Sequence, residues 1–242
     1  MDPTTLDPAT RRRLRRATVE SAARRQADVV SRAQVYALGI TRAEVRASVA
    51  ANRWQLIGRH CICTHTGPLT TEARHWVAVL EAGPRAQIDG ESSLVLAGLE
   101  RYEVEKIRVS VPRGARIRHR GSTLNIRQTR RWTATDRAPG PGVPRTRNPV
   151  AAVRAALWAR SDRQATLVLT MTVQQGIATP GEIGVELIRI RRDRRRLLVN
   201  EVVLELAGGI RSLNELDVLR GCRERGIPEP DRQAVRKTAG GS

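Results

Sequence analysis

Apolar positions recur at helical spacing along most of the chain and switch to alternation in a few short stretches. Two short helices are expected between residues 19 and 39. The second opens on Ser31 as N-cap, carries Val35 and Leu38 on one face and closes at Gly39. Thr41 can cap a third helix over residues 42 to 51, where Val45 and Val49 share one stripe and Arg42 and Arg46 another. Asn52 suits a left-handed stop. Next, Arg53-Trp54-Gln55-Leu56-Ile57, Gly58-Arg59 and His60-Cys61-Ile62-Cys63-Thr64 read as two strands about a tight turn. Three helices followed at once by a hairpin predict a winged helix-turn-helix over residues 19 to 66.

Beyond it, residues 71 to 82 place Ala73, Trp76, Val77 and Leu80 on one helical face ending at Gly83-Pro84. A shorter helix is expected near 91 to 97. Over residues 105 to 111, Ile107, Val109 and Val111 alternate with Lys106, Arg108 and Ser110, and Leu124 and Ile126 repeat the pattern. Residues 67 to 132 thus read as a small α/β region. Its outer face would carry Arg108, Arg118, Arg120 and Arg127, facing phosphate or merely solvated. Residues 133 to 148 hold Pro139, Gly140, Pro141, Gly142 and Pro144 without periodicity and read as a linker. Helices near 149 to 160, 162 to 175, 180 to 189 and 193 to 206 make a helical region of 149 to 209. The last segment, 210 to 242, opens a helix on Ser212-Leu213-Asn214-Glu215 with Leu213, Leu216, Leu219 and Cys222 inward, then dissolves into a tail. The expected class is α+β, with a winged helix-turn-helix, a small α/β middle region and a mostly helical C-terminal half.

Charge changes this picture. With 43 basic against 24 acidic residues, the formal net charge of +19 exceeds what solubility needs and points to a polyanion. Only Lys106 and Lys237 are lysines and phenylalanine is absent, a bias typical of GC-rich coding. The total charge therefore weighs more than any single arginine. Residues 1 to 18, with Arg11, Arg12, Arg13, Arg15 and Arg16, read as a basic flexible arm that either follows phosphates or stays solvated. The run Arg189, Arg191, Arg192, Arg194, Arg195, Arg196 surrounds a helix start, where each cation opposes the dipole by roughly 0.3–1 kcal/mol. It reads as a solvated helix start or a phosphate site. No apolar run approaches the ~18 residues of a membrane span. Three poorly spaced cysteines fit a reducing compartment, so a cytoplasmic protein with no membrane contact is expected.

Candidate chemistry is sparse. His60, Cys61, Cys63 and His65 fall close together, but strand geometry sets successive same-face residues about 7 Å apart, too far to share a zinc ion bound at about 2.0–2.3 Å. Glu215 fits a capping box, and no carboxylate cluster surrounds it for metal-dependent cleavage. No phosphate-cradling glycine loop, G-x-S-x-G or H-E-x-x-H occurs. No catalytic residue, metal or cofactor is expected.

Several motifs, in order, resemble one family. They are Val30-Ser31-Arg32-Ala33-Gln34 running into Ala37-Leu38-Gly39-Ile40-Thr41-Arg42, Arg53-Trp54-Gln55, and Thr64-His65-Thr66-Gly67-Pro68-Leu69-Thr70. Later come Val109-Ser110-Val111-Pro112-Arg113-Gly114, Ala156-Leu157-Trp158-Ala159-Arg160, Val173-Gln174-Gln175 and Ser212-Leu213-Asn214-Glu215-Leu216. The chain resembles actinobacterial proteins that join an AbiEi-type antitoxin winged-helix domain to a restriction-endonuclease-like domain akin to very-short-patch repair endonucleases. The resemblance implies an antitoxin-type transcription regulator that binds double-stranded DNA. It also implies a toxin or nuclease partner protein, and dimerisation is expected of helix-turn-helix proteins that read paired half-sites. The alternative it raises is a DNA endonuclease, inactive or truncated here. Glu215 matches that family's first glutamate, while the strands bearing its other acidic residues would fall after Ser242. For DNA contact the expected residues are Arg32, Thr41, Arg42, Arg46, Arg53 and Arg59.

Overall fold

The computed structural model describes residues 7–117, 123–209 and 213–228. The chain divides into two units, Met1–Ser93 with Arg101–Arg147, and Leu94–Glu100 with Asn148–Ser242.

The first unit begins with α1 (Pro8–Arg24), β1 (Val29–Ser31), α2 (Arg32–Ala37), α3 (Arg42–Ala50), β2 (Gln55–Ile57) and β3 (Cys61–Cys63). The strands pair antiparallel in the order β1-β3-β2, and three helices with the β2–β3 hairpin after them make a winged helix-turn-helix. Where the sequence reads a flexible arm, the chain forms α1. Asp7 caps it, accepting from the Ala9 amide at 2.8 Å and the Thr10 amide at 3.1 Å, with Pro8 at its start. What holds the helix is packing, because Val19 and Ala23 are buried with Val30, Val35, Ile40, Val45, Trp54 and Ile62.

The wing sheet is covered on both faces. Alternation sends Val30 and Ile62 into that core and Val29 and Cys61 to the other side, against Ala73 and Trp76 of α4 (Thr71–Ala82). Ending the winged helix at residue 66 therefore cuts through a shared core. The unit continues through β4 (Gln87–Ile88), the start of α5 (Gly90–Leu96), β5 (Ile107–Pro112) and β6 (Leu124–Thr129), with β4 antiparallel and β6 parallel to β5.

Residues 133 to 148 are packed structure where a linker is expected. Ile88 donates its amide to the Pro144 carbonyl and accepts from the Thr146 amide, each at 2.8 Å, so this stretch is bridged to the edge of β4 at Arg145. Thr146 is fully buried, its carbonyl accepting from the Ser93 hydroxyl at 2.7 Å. Prolines interrupt periodicity yet tolerate an edge position.

The second unit is helical: α6 (Asn148–Trp158), α7 (Asp162–Gln174), α8 (Pro180–Ile188), α9 (Arg196–Ala207) and α10 (Leu213–Glu224). Helix α6 is buried from Val150 to Leu157 as a central helix, with Arg154 buried among its apolar residues. Gln175 staples the segment Leu94–Glu100 to this unit, its side chain accepting from the Glu100 amide at 2.8 Å and donating to the Glu100 carbonyl at 3.2 Å. Leu216 and Leu219 of α10 are buried as expected, Cys222 is half-buried, and Ser212 lies outside the described residues. None of the described helices is long and apolar enough to cross a membrane.

Candidate nucleic-acid interface

Two capping boxes build the helix-turn-helix. Ser31 accepts from the Gln34 amide at 3.1 Å while its own amide donates to the Gln34 side chain at 2.7 Å. Thr41 and Glu44 repeat the device at the start of α3. Between them Gly39 takes φ +82, a left-handed turn that avoids a Cβ penalty, and a Cβ there would meet Arg15 at 3.2 Å.

Helix α3 buries Val45 and Ser48, with Val49 packed behind them, and leaves Arg42, Ala43, Arg46, Ala47 and Ala50 exposed. Arg42 and Arg46 stand one turn apart on a face otherwise made of small alanines, so backbone can approach a groove closely. A negative charge at this helix start is neutralised: Arg15 of α1 pairs with Glu44 at 2.8 Å. The Thr41 amide, followed by Arg15, brings the Glu44 carboxyl down to about 2.

Arg53 is exposed just after Asn52, whose φ of +51 ends the helix as expected, while its neighbour Trp54 is only 1% exposed. Arg59 is exposed in the turn between β2 and β3, beside Gly58 at φ +58. Beneath this turn, Glu81 from the end of α4 accepts from the His60 and Cys61 amides at 2.6 and 3.1 Å. Sequence reasoning missed Glu81, because only the docking of α4 brings it under the wing.

Two expected contacts differ from the rest. The Thr41 hydroxyl is engaged in the cap, accepting from the Glu44 amide at 3.2 Å and donating to the Glu44 carboxylate at 2.8 Å. Arg32 is half-buried, and its amide donates to the His60 carbonyl at 2.7 Å, which ties α2 to the wing base. Arg11, Arg12 and Arg13, read as part of an arm, are exposed along α1.

Several members of the other charged and sulfur-bearing clusters are buried or bonded within the fold. Cys61 and Cys63 are buried, and burial pushes both thiols up. His65 Nδ1 accepts from the Gly67 amide at 3.0 Å. Arg108 leaves the expected outer face and pairs with buried Glu91 at 2.7 Å; burial outweighs that pairing and pushes the Glu91 carboxyl up. Arg127 is half-buried, and Arg118 and Arg120 lie outside the described residues. In the arginine run before α9, Arg195 is 7% exposed. It donates to Asp162 at 2.8 Å and to the Ala159 carbonyl. Arg191, Arg192 and Arg194 are exposed. Glu215 is exposed on α10.

The fold defines an α+β protein whose N-terminal module is a winged helix. No family model matches the chain, and no curated protein matches it. Among solved structures, it is similar to the RV2827C protein from Mycobacterium tuberculosis at 15% identity and a TM-score of 0.48, over 77% of this chain and 75% of that one.

Proposed function

We propose that this chain is a cytoplasmic, non-catalytic regulator of the AbiEi antitoxin type that binds double-stranded DNA through its winged helix. The observation that carries this reading is the outward face of α3, where Arg42 and Arg46 flank exposed alanines while the opposite face is buried in the module. In the proposed complex this face enters the major groove, with Arg42 or Arg46 at base edges. Arg59 at the wing, Arg53 and the exposed arginines of α1 neutralise phosphates. Thr41 contributes by holding the helix start.

Fluorescence anisotropy with promoter DNA from its own locus tests this. Four to five neutralised phosphates give a slope of about −4 in log affinity against log salt. Arg46→Ala is expected to lower affinity by about 1–3 kcal/mol if Arg46 reads a base, or to reduce the slope by about 1 if it meets phosphate. Affinity unchanged between about 50 and about 200 mM salt refutes the reading.

A protein partner, of toxin or nuclease type, is favoured as a second reading by apolar side chains on the helical unit. Ile188 on α8 and Leu197 and Leu204 on α9 are 75%, 73% and 63% exposed. Co-purification with the product of a neighbouring gene, lost in Leu197→Asp, tests it.

A further inference from the structure

The first unit contains a cleft of about 800 Å³ that lies apart from the outward face of α3. One wall is α2 and the wing base, through Arg32, Gln34 and His60. The other runs from Trp76 and Leu80 on α4 to Pro84, Val111 and Pro144. Such a volume with a mainly apolar lining and a few polar groups matches ordinary small-ligand sites, which span about 300–1,000 Å³.

Its polar groups are incompletely satisfied. Arg32 Nε, His60 Nε2, Trp76 Nε1 and Glu81 Oε2 are all buried and all lack a hydrogen-bond partner. Trp76 is 9% and Glu81 3% exposed. These four atoms lie within the walls and not on the open surface, so what the cleft offers a ligand is its apolar lining and the outer ends of its arginines. Arg85, Arg116 and Arg137 also line the cleft, are exposed, and form no ion pair among the described residues. Four guanidinium groups against one carboxylate make the site cationic.

We propose that this cleft binds a small organic anion, a carboxylate or phosphate ester with an apolar ring, whose acid group meets Arg32 and the rim arginines while its ring lies on Trp76 and Leu80. A bare phosphate would leave the apolar wall unused, and a nucleic-acid backbone has no counterpart for a recessed Trp wall. The proposal is independent of DNA recognition, because the ligand is assayed directly and without DNA.

The test is isothermal calorimetry on the full chain with benzoate and phenyl phosphate, with inorganic phosphate and benzyl alcohol as partial mimics. Saturable binding of benzoate or phenyl phosphate is expected, at least about tenfold tighter than either partial mimic, and whichever binds better identifies the acid group. Arg32→Gln should weaken it about tenfold or more by removing a charge-assisted contact, whereas Arg42→Gln on α3 should leave it unchanged. Arg116→Gln, at the exposed rim, gives the same readout should Arg32→Gln fail to fold. Absence of saturable binding overturns the proposal. So does equal binding of inorganic phosphate, or binding indifferent to both cleft substitutions.

Discussion

Glu81 lies against Gly58, its Oε1 2.9 Å from the position a Cβ would take on that glycine. The same oxygen receives the amides of His60 and Cys61. One carboxylate from α4 thus fixes the backbone of the wing turn, and only glycine leaves room for it.

This contact predicts a non-additive pair of variants. Gly58→Ala meets both the carboxylate and a left-handed backbone that alone costs a side-chain-bearing residue about 1–2 kcal/mol. Glu81→Ala strands two amides, at about 1–3 kcal/mol for each that stays dry. In the double variant the clash has gone, so urea denaturation should give a loss smaller than the sum of the single losses. Strict additivity would show that the contact has no energetic consequence.

Acid should loosen the junction of α1 with α3. Glu44 ordinarily titrates near 4.5 and is brought to about 2 in the folded protein, first by the Thr41 amide and then by Arg15. A lowered carboxyl stabilises the fold fully above its unfolded value, and that contribution fades as pH falls from about 4.5 through about 2. The melting temperature of the wild type should therefore drop more steeply over this window than that of Glu44→Gln, as followed by circular dichroism. Parallel profiles would remove Glu44 from the acid response.

Trp54 separates fold from contact. It is 1% exposed in the core with Val19, Val35, Val45 and Ile62, next in sequence to exposed Arg53, so Trp54→Ala should cost about 3–5 kcal/mol and abolish DNA binding by unfolding the module. Arg46→Ala, at an exposed site, should stay within about 0.5 kcal/mol of wild-type stability while weakening DNA binding. Denaturation and anisotropy on both variants distinguish these outcomes.

Neighbouring arginines before α9 should behave differently. Arg195→Met removes a buried guanidinium bonded to Asp162 and the Ala159 carbonyl, and should destabilise the helical unit by about 1–3 kcal/mol, Asp162 itself being mostly exposed and free to rehydrate. Arg194→Met should be close to neutral, because Arg194 is exposed. Equal effects in thermal denaturation would contradict the burial of Arg195.

Local signals were legible wherever they act through neighbours in sequence. Ser31 and Thr41 each cap a helix through a residue three positions on, Asn52 turns left-handed, and the inward residues of α3 and α4 follow helical spacing. Strands β1 and β4 were missed because two or three residues carry no readable period. Fully buried Cys61-Ile62-Cys63 was legible as a strand through the Gly58-Arg59 turn before it, although a strand covered on both faces shows no polar alternation.

The amino-acid order alone settled the α+β class, the helix-turn-helix caps and the net positive charge, because caps, periodicity and composition need no distant partner. Which arginines stay free was decided by folding. Arg15 and Arg195 share the same chemistry as Arg46 and Arg194, yet the first two meet Glu44 and Asp162 across 29 and 33 residues of chain. The unity of the wing with α4, and the cleft beside Trp76, likewise arise from packing between segments far apart in sequence, which no local pattern encodes.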